Sequence, residues 1–263
     1  MKHTRVLAVS SRKGGVAKTT TAGAMSSILN SKGIKVLAID LDGQGNLTNW
    51  NGYNTEGKPT VYEVLKGQIN IHDAIYHGAH YDLLPADQAL FLLEGEIMGA
   101  VDRYTKLRKV LKNVDGKYDY IIIDCPPSLG TFTLNAYSVA DGIIVTTDAS
   151  AFATQGMSEL SQTVEDVRLN VNANIKVIGI LLTRFTERYN FMKVMKDVSD
   201  RIAECIDAPV YDTPIRPAVA LMEAQLNCTD ILEIRNQCNA KNDYIAWVDE
   251  FLAREAEERG GDK

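Results

Sequence analysis

From residue 13 to residue 20 the chain reads Lys13-Gly14-Gly15-Val16-Ala17-Lys18-Thr19-Thr20, two cations, two glycines and two hydroxyls in eight positions. Those types at that spacing suit phosphate chemistry. Successive backbone N–H groups of a glycine-bearing turn, aimed from a helix N-terminus, cradle phosphate oxygens. Lys18 then reaches the outer phosphates, and the Thr19 hydroxyl is a ligand for Mg²⁺. Three carboxylates complete the set. Asp124 ends the apolar run Tyr118-Asp119-Tyr120-Ile121-Ile122-Ile123-Asp124, where an unpaired buried charge is costly and a cation, reached through water, satisfies it. Asp40 ends a second apolar run, and Asp42 follows it in a Gly- and Asn-rich stretch.

These residues need a frame that brings them to one edge. Residues 5–10 read as a short apolar strand, 21–30 as a helix stopped near Gly33, and 35–40 as a second strand, which makes a βαβ opening around the glycine turn. The strands are continuous apolar runs and do not alternate, the pattern of a parallel sheet covered by helices on both faces. Ligands of such sheets bind beyond the carboxyl ends of the strands, where Asp124 falls. Further along, the spacing predicts a loop over 42–57, a capping box in Thr60-Val61-Tyr62-Glu63 that opens a short helix, and a long imperfect helical region over 87–113. Strands are expected at 81–84, 118–124, 142–147 and 176–183, with helices at 131–140, 155–169 and 190–206. A short edge strand follows at 209–211. Pro214-Ile215-Arg216-Pro217 must be a loop, because two prolines remove donors and restrict their neighbours. The helical C-terminal region spans about 221–259. No repeat, linker or composition break divides the chain, so one α/β domain over residues 1–263 is expected.

The composition limits the classes. The 263 residues carry 28 Lys+Arg against 34 Asp+Glu, a formal charge of -6, with 45% hydrophobic and 24% charged residues. That is an ordinary globular balance, and it excludes a collagen-like fibre, a stapled mini-protein and a largely disordered chain. Cys125, Cys205, Cys228 and Cys238 match no compact zinc spacing and are too sparse for a disulfide framework, so they read as reduced, mostly packing residues. The N-terminal apolar stretch is too short for a signal peptide, and none elsewhere reaches the roughly 18 residues of a membrane span. Cytoplasm is the default location.

The loop KGGVAKTT resembles the deviant Walker A box of the ParA/MinD superfamily, KGGxGKTT, whose distinguishing feature is the upstream lysine, here Lys13. Two more boxes support the resemblance. Asp40-Leu41-Asp42-Gly43-Gln44-Gly45-Asn46 is similar to the switch I box D-x-D-P-Q-G-N, and Asp124-Cys125-Pro126-Pro127 to the Walker B and switch II box D-x-P-P. Ile178-Gly179-Ile180-Leu181-Leu182-Thr183 matches the late G-x-L-x-T strand, so the likeness covers nearly the whole chain. The resemblance implies a P-loop NTPase fold with a mostly parallel central sheet, ATP and Mg²⁺ as ligands, and a homodimer closed by ATP in which Lys13 contacts the partner's nucleotide. It implies that Gly14, Gly15, Val16, Ala17, Lys18, Thr19 and Thr20 form the phosphate loop. It further implies that Asp42 orients the attacking water and that Asp40, with Thr19 and Asp124, organises the magnesium shell. Adenine is expected against the late loops at Thr183-Arg184 and Pro214-Ile215-Arg216, which as plain sequence read equally as surface turns.

Two positions depart from the boxes. Ala17 replaces the glycine before the lysine, and if that position needs positive φ its β-carbon costs on the order of 1 kcal/mol. Gly43 replaces the usual proline and loosens switch I next to Asp42. Retention of Lys13, Lys18, Thr19, Asp42 and Asp124 argues for a working, slow ATPase.

Within the superfamily the chain is most similar to ParA/Soj-like DNA-partition ATPases, which bind non-specific DNA as ATP dimers and answer to a ParB-like partner or adaptor protein. That implies a nucleoid-associated protein serving a plasmid, mobile element or chromosome. The chain opens almost at once on its first strand, so no N-terminal helix-turn-helix is expected. Net charge gives DNA binding no support, and the basic candidates Arg184, Arg188, Lys193, Lys196 and Arg216 are interspersed with acids. Lys193 and Lys196 share a helix face. A MinD-like membrane reading fits poorly: the tail from Asp249 has six acids and three bases, and Trp247, Phe251 and Leu252 read as a core stripe. A nucleotide-gated DNA or protein scaffold with little hydrolysis, caused by Ala17, is the other reading. A dimer bridged by a cluster at Cys125 is the least supported.

Overall fold

Seven strands join in one sheet in the order β3-β4-β2-β5-β1-β6-β7. They are β1 (Arg5–Ser10), β2 (Val36–Asp40), β3 (Tyr76–His77), β4 (Asp82–Leu84), β5 (Tyr120–Asp124), β6 (Gly142–Thr147) and β7 (Val177–Leu182). The protein, a computed structural model, is described over residues 4–148, 153–185, 208–235 and 237–261. Every strand pair is parallel except β3 with β4. Alternate residues of the continuous apolar strands feed two separate cores, as a sheet covered on both faces requires. Val6, Ala8, Ile121, Ile123, Ile143 and Val145 enter one. Leu7, Val9, Ile122 and Ile144 enter the other.

The helices among the described residues are α1 (Lys18–Ser31), α2 (Asn46–Trp50), α3 (Val61–Lys66), α4 (Ile71–Ala74), α5 (Ala89–Glu96), α6 (Lys106–Leu111), α7 (Thr131–Val139), α8 (Ala153–Asn170), α9 (Val219–Leu226) and α10 (Asn239–Gly261). Helix α3 opens on the expected box: Thr60 Oγ accepts from Tyr62 N at 3.3 Å and Glu63 accepts from Thr60 N at 2.8 Å. On the second face α10 presents Tyr244, Trp247, Val248 and Phe251 to the sheet, all buried. Trp247 stands edge-on to Tyr211 and Tyr244 at 5.7 and 6.2 Å. The tail's acids pair with bases of the body, Glu255 with Arg5 and Asp249 with Lys32. The expected stripe is therefore core, and no helix among the described residues is long and apolar enough to cross a membrane.

Several expectations shift. The loop expected over 42–57 contains α2, held by tertiary contacts and not by its own propensity: Leu47 and Trp50 are buried, and Thr48 is tied to Asp40. The helical region over 87–113 breaks into α5 and α6, with turns between them around Gly99. Helix α4 and strand β3 were not expected. The 209–211 strand reduces to a single bridge, Val210 to Ile180. The C-terminal region is interrupted by a 3₁₀ turn at Ile231–Glu233. The helix expected over 190–206 lies outside the described residues.

Candidate nucleotide-binding site

Register brings the carboxylates together. Asp124 of β5 lies beside Asp40 of β2 and beside Val9 of β1, at the carboxyl ends of three adjacent strands. From β1 the chain turns through residues 11–17 into α1. Within that turn Ser11 Oγ accepts from Lys13 N at 3.2 Å and Gly15 takes φ 73°. Ala17, the residue before α1, stands at φ 62° and ψ 28° with no side-chain cap. The position therefore does require a left-handed backbone, and alanine occupies it.

Lys18 is only 8% exposed, and its Nζ donates to the Lys13 carbonyl at 3.2 Å. Burial pulls the Lys18 pKa down, while the nearby carboxylates of Asp124 and Asp42 oppose that pull. Both Asp124 carboxylate oxygens are buried without a hydrogen-bond partner. Burial first, and then repulsion from Asp40, raises its pKa well above the usual value; the Thr19 hydroxyl and Lys18 are near enough to favour the charged form. A carboxylate orphaned in this way, beside a hydroxyl and at the strand ends, fits a divalent cation.

Asp40 is different. Its Oδ1 accepts from Asp42 N at 3.1 Å, and its Oδ2 accepts from Thr48 N at 3.0 Å and Thr48 Oγ at 2.8 Å. Thr48 Oγ in turn accepts from Ala86 N at 2.9 Å. These bonds make Asp40 the anchor of the loop that follows β2. Burial still raises its pKa. Asp42, half-buried, accepts from Gln44 N at 3.0 Å in an Asx turn, and Gly45 closes the turn at φ 63° with Ala86 O close by.

The remaining candidates fall into three groups. Thr183 is buried and its hydroxyl lies 3.2 Å from the Val16 carbonyl, fastening β7 to the phosphate loop. The two late loops are brought together, with Ile215 N donating to Leu182 O at 2.8 Å and Phe185 N to Ile215 O at 3.0 Å. Arg184 stands at φ 54° over the phosphate loop, where a β-carbon on Gly15 would lie 3.7 and 3.8 Å from its guanidinium nitrogens. Arg216 forms a fork onto Asp243 of α10 at 2.9 and 2.6 Å. Arg188, Lys193 and Lys196 lie outside the described residues. Asp148, which the sequence motifs do not single out, pairs with Lys13 Nζ at 2.5 Å. Asp148 follows the apolar run of β6 as Asp124 ends that of β5, so the same signal points to it.

A phosphate loop between a first strand and helix, with carboxylates at the ends of neighbouring parallel strands, defines a P-loop nucleotide-binding α/β protein. The family model described as an AAA domain matches residues 4–177. The chain is 35% identical over 257 residues to the chromosome partitioning protein ParA of Caulobacter vibrioides, covering 95% of each. It is 34% identical over 253 residues to the sporulation initiation inhibitor protein Soj of Bacillus subtilis, covering 95% of this chain and 98% of Soj. Among solved structures, cobyrinic acid a,c-diamide synthase from Mycobacterium smegmatis, with a bound ATP analog and magnesium, superposes with a TM-score of 0.83 at 34% identity, covering 95% and 94%. The chain belongs to the ParA/MinD superfamily of P-loop ATPases, among relatives named ParA and Soj.

Proposed function

We propose that the protein is a ParA-like partition ATPase, which binds ATP with Mg²⁺, closes as a homodimer on non-specific DNA and releases it when a ParB-like partner stimulates hydrolysis. The observation that carries the reading is the buried, unpartnered Asp124 beside Lys18 and Thr19 at the mouth of the phosphate loop. Residues 14–20 cradle the phosphates, and Thr183 fixes the loop from behind. A magnesium ion held by Thr19 and Asp124 supplies neutralisation of phosphate charge; Asp40 supports it indirectly by anchoring switch I. Asp42 orients a water for attack on the γ-phosphorus, whose bond to the bridging oxygen of ADP then breaks.

Lys13 reaches the partner's nucleotide only by leaving Asp148. Arg184 faces the phosphate loop, which supports a role for it at the nucleotide, and Arg188, Lys193, Lys196 and Arg216 remain the candidate DNA contacts, Arg216 with its guanidinium held on Asp243. The nucleoid is then the site of action. One observation favours the second reading, a nucleotide-gated scaffold with little turnover: the strained Ala17 in the phosphate loop.

The test is ATP-dependent dimerisation measured by sedimentation. The wild type should dimerise with Mg-ATP, and Lys13→Ala should stay monomeric while still binding ATP. Full dimerisation of Lys13→Ala would sink the trans role of the lysine.

A further inference from the structure

Gly43 is buried next to Asp42, yet unlike Gly45 its φ lies outside the left-handed region. Its backbone is open to any L residue. What a side chain there would meet is the ring of Phe91 of α5, which would have to shift to admit it: a β-carbon on Gly43 would lie 2.9 Å from Cε2 and Cζ and 3.0 Å from Cε1. These three carbons are the tip of the ring, so Phe91 abuts the backbone of switch I end-on. Phe91 is itself 52% exposed.

The same helix reaches the segment that follows the second switch box. Three residues on, and so on the same helix face, Glu94 Oε1 accepts from Thr131 N at 3.2 Å in the first turn of α7. Helix α5 thus touches the loop after β2 through Phe91 and the segment after β5 through Glu94.

We propose that Phe91 is a positioning residue for hydrolysis: its ring restrains Gly43, the most flexible residue type in the loop, and through it the direction of the Asp42 carboxylate. This rests on the reading of Asp42 as the group that orients water. Phe91 touches neither nucleotide nor water in this scheme and acts through the backbone of residue 43. A glycine at 43 and a phenyl ring at 91 are a matched pair.

The experiment is a double-mutant cycle on the full chain with Gly43→Ala, Phe91→Ala and both together, reading kcat and KM for ATP and the midpoint of thermal unfolding. Phe91→Ala should lower kcat by about ten- to a hundredfold, the cost of a misplaced group, with KM for ATP little changed. Gly43→Ala should lower both kcat and Tm in the Phe91 background and lower neither further in the Phe91→Ala background. Gly43→Ala with Phe91→Leu, which shortens one side as it lengthens the other, should recover kcat. Phe91→Tyr, which adds an oxygen at Cζ, one of the two closest ring carbons, should behave like Gly43→Ala. Additive Tm losses in the cycle would overturn the contact, whatever the turnover. If Asp42→Ala abolishes turnover while Phe91→Ala keeps the wild-type kcat, the positioning role is overturned and the Asp42 reading stands. If Asp42→Ala keeps wild-type turnover, that reading fails and this proposal with it.

Discussion

Ala17→Gly separates backbone strain from phosphate crowding. At φ 62° and ψ 28° the Ala17 β-carbon costs about 1–2 kcal/mol relative to glycine. Glycine returns about 0.5–1 kcal/mol of freedom to the unfolded chain, which offsets part of the relief. The net gain is about 0–1.5 kcal/mol, centred near 0.75, and at roughly 2–4 °C per kcal/mol for a chain of this size it raises Tm by about 2–3 °C at that centre and by about 6 °C at most. The sign is opposite to that of Ala24→Gly, a control in the buried interior of α1, where glycine costs about 1 kcal/mol of helix propensity and a packed methyl as well. Strain that the loop carries equally with and without nucleotide cancels from the ATP dissociation constant. A tighter Kd in the glycine variant therefore reports relief of crowding at the phosphates, and an unchanged Kd reports strain alone. Thermal unfolding of both variants, beside equilibrium ATP titrations, reads the two effects separately. A fall in Tm for Ala17→Gly, parallel to the control, would refute the reasoning.

Two further predictions follow from burial. The Asp124 carboxyl is held above its ordinary value, so between the unfolded value of 3.8 and the raised folded one the folded state binds the extra proton; stability of the metal-free protein falls as pH rises through that window, and Asp40 adds the same sign. Stabilisation by Mg²⁺ should grow over the same window because the cation displaces the proton, whereas Asp124→Asn should raise the metal-free Tm at neutral pH and abolish the Mg²⁺ effect. Thermal unfolding across pH with and without Mg²⁺ checks this, and a Mg²⁺ shift retained by Asp124→Asn would contradict it. Trp247→Ala should lose about 3–5 kcal/mol in denaturant unfolding, since the ring is fully buried between Tyr211 and Tyr244; a loss below about 1 kcal/mol, the size of a surface change, would remove α10 from the core.

What the sequence disclosed, and what it did not, follows the range of the interactions involved. Strands β1 and β6 and the Thr60–Glu63 box were legible to the residue because apolar runs and caps are local signals. The departure at Ala17 was legible too, and its left-handed backbone is the geometry that the missing glycine implied. Helix α2 was not, because five residues do not make a helix on their own propensity; it forms on the Asp40–Thr48 bonds and the burial of Trp50. The break between α5 and α6 was hidden by a helical period that runs through both. At the site, the phosphate loop and Asp124 stood out by type and position. The partners did not: Asp148 lies 135 residues from Lys13, Asp243 lies 27 from Arg216, and Phe91 is brought to Gly43 only by the sheet. Asp40 shows the same limit, since its place at a strand end was readable but its commitment to Thr48 was not.

The central claim is that this loop, with alanine where glycine is usual, still runs an ATP-driven DNA switch. It is tested most directly by steady-state phosphate release from the purified protein with Mg-ATP, with and without non-specific duplex DNA, beside an ATP-binding titration on the same sample. The account predicts saturable binding and slow turnover that rises with DNA. Binding without turnover in either condition would contradict the ATPase and favour the gated scaffold, and no binding would contradict the site itself.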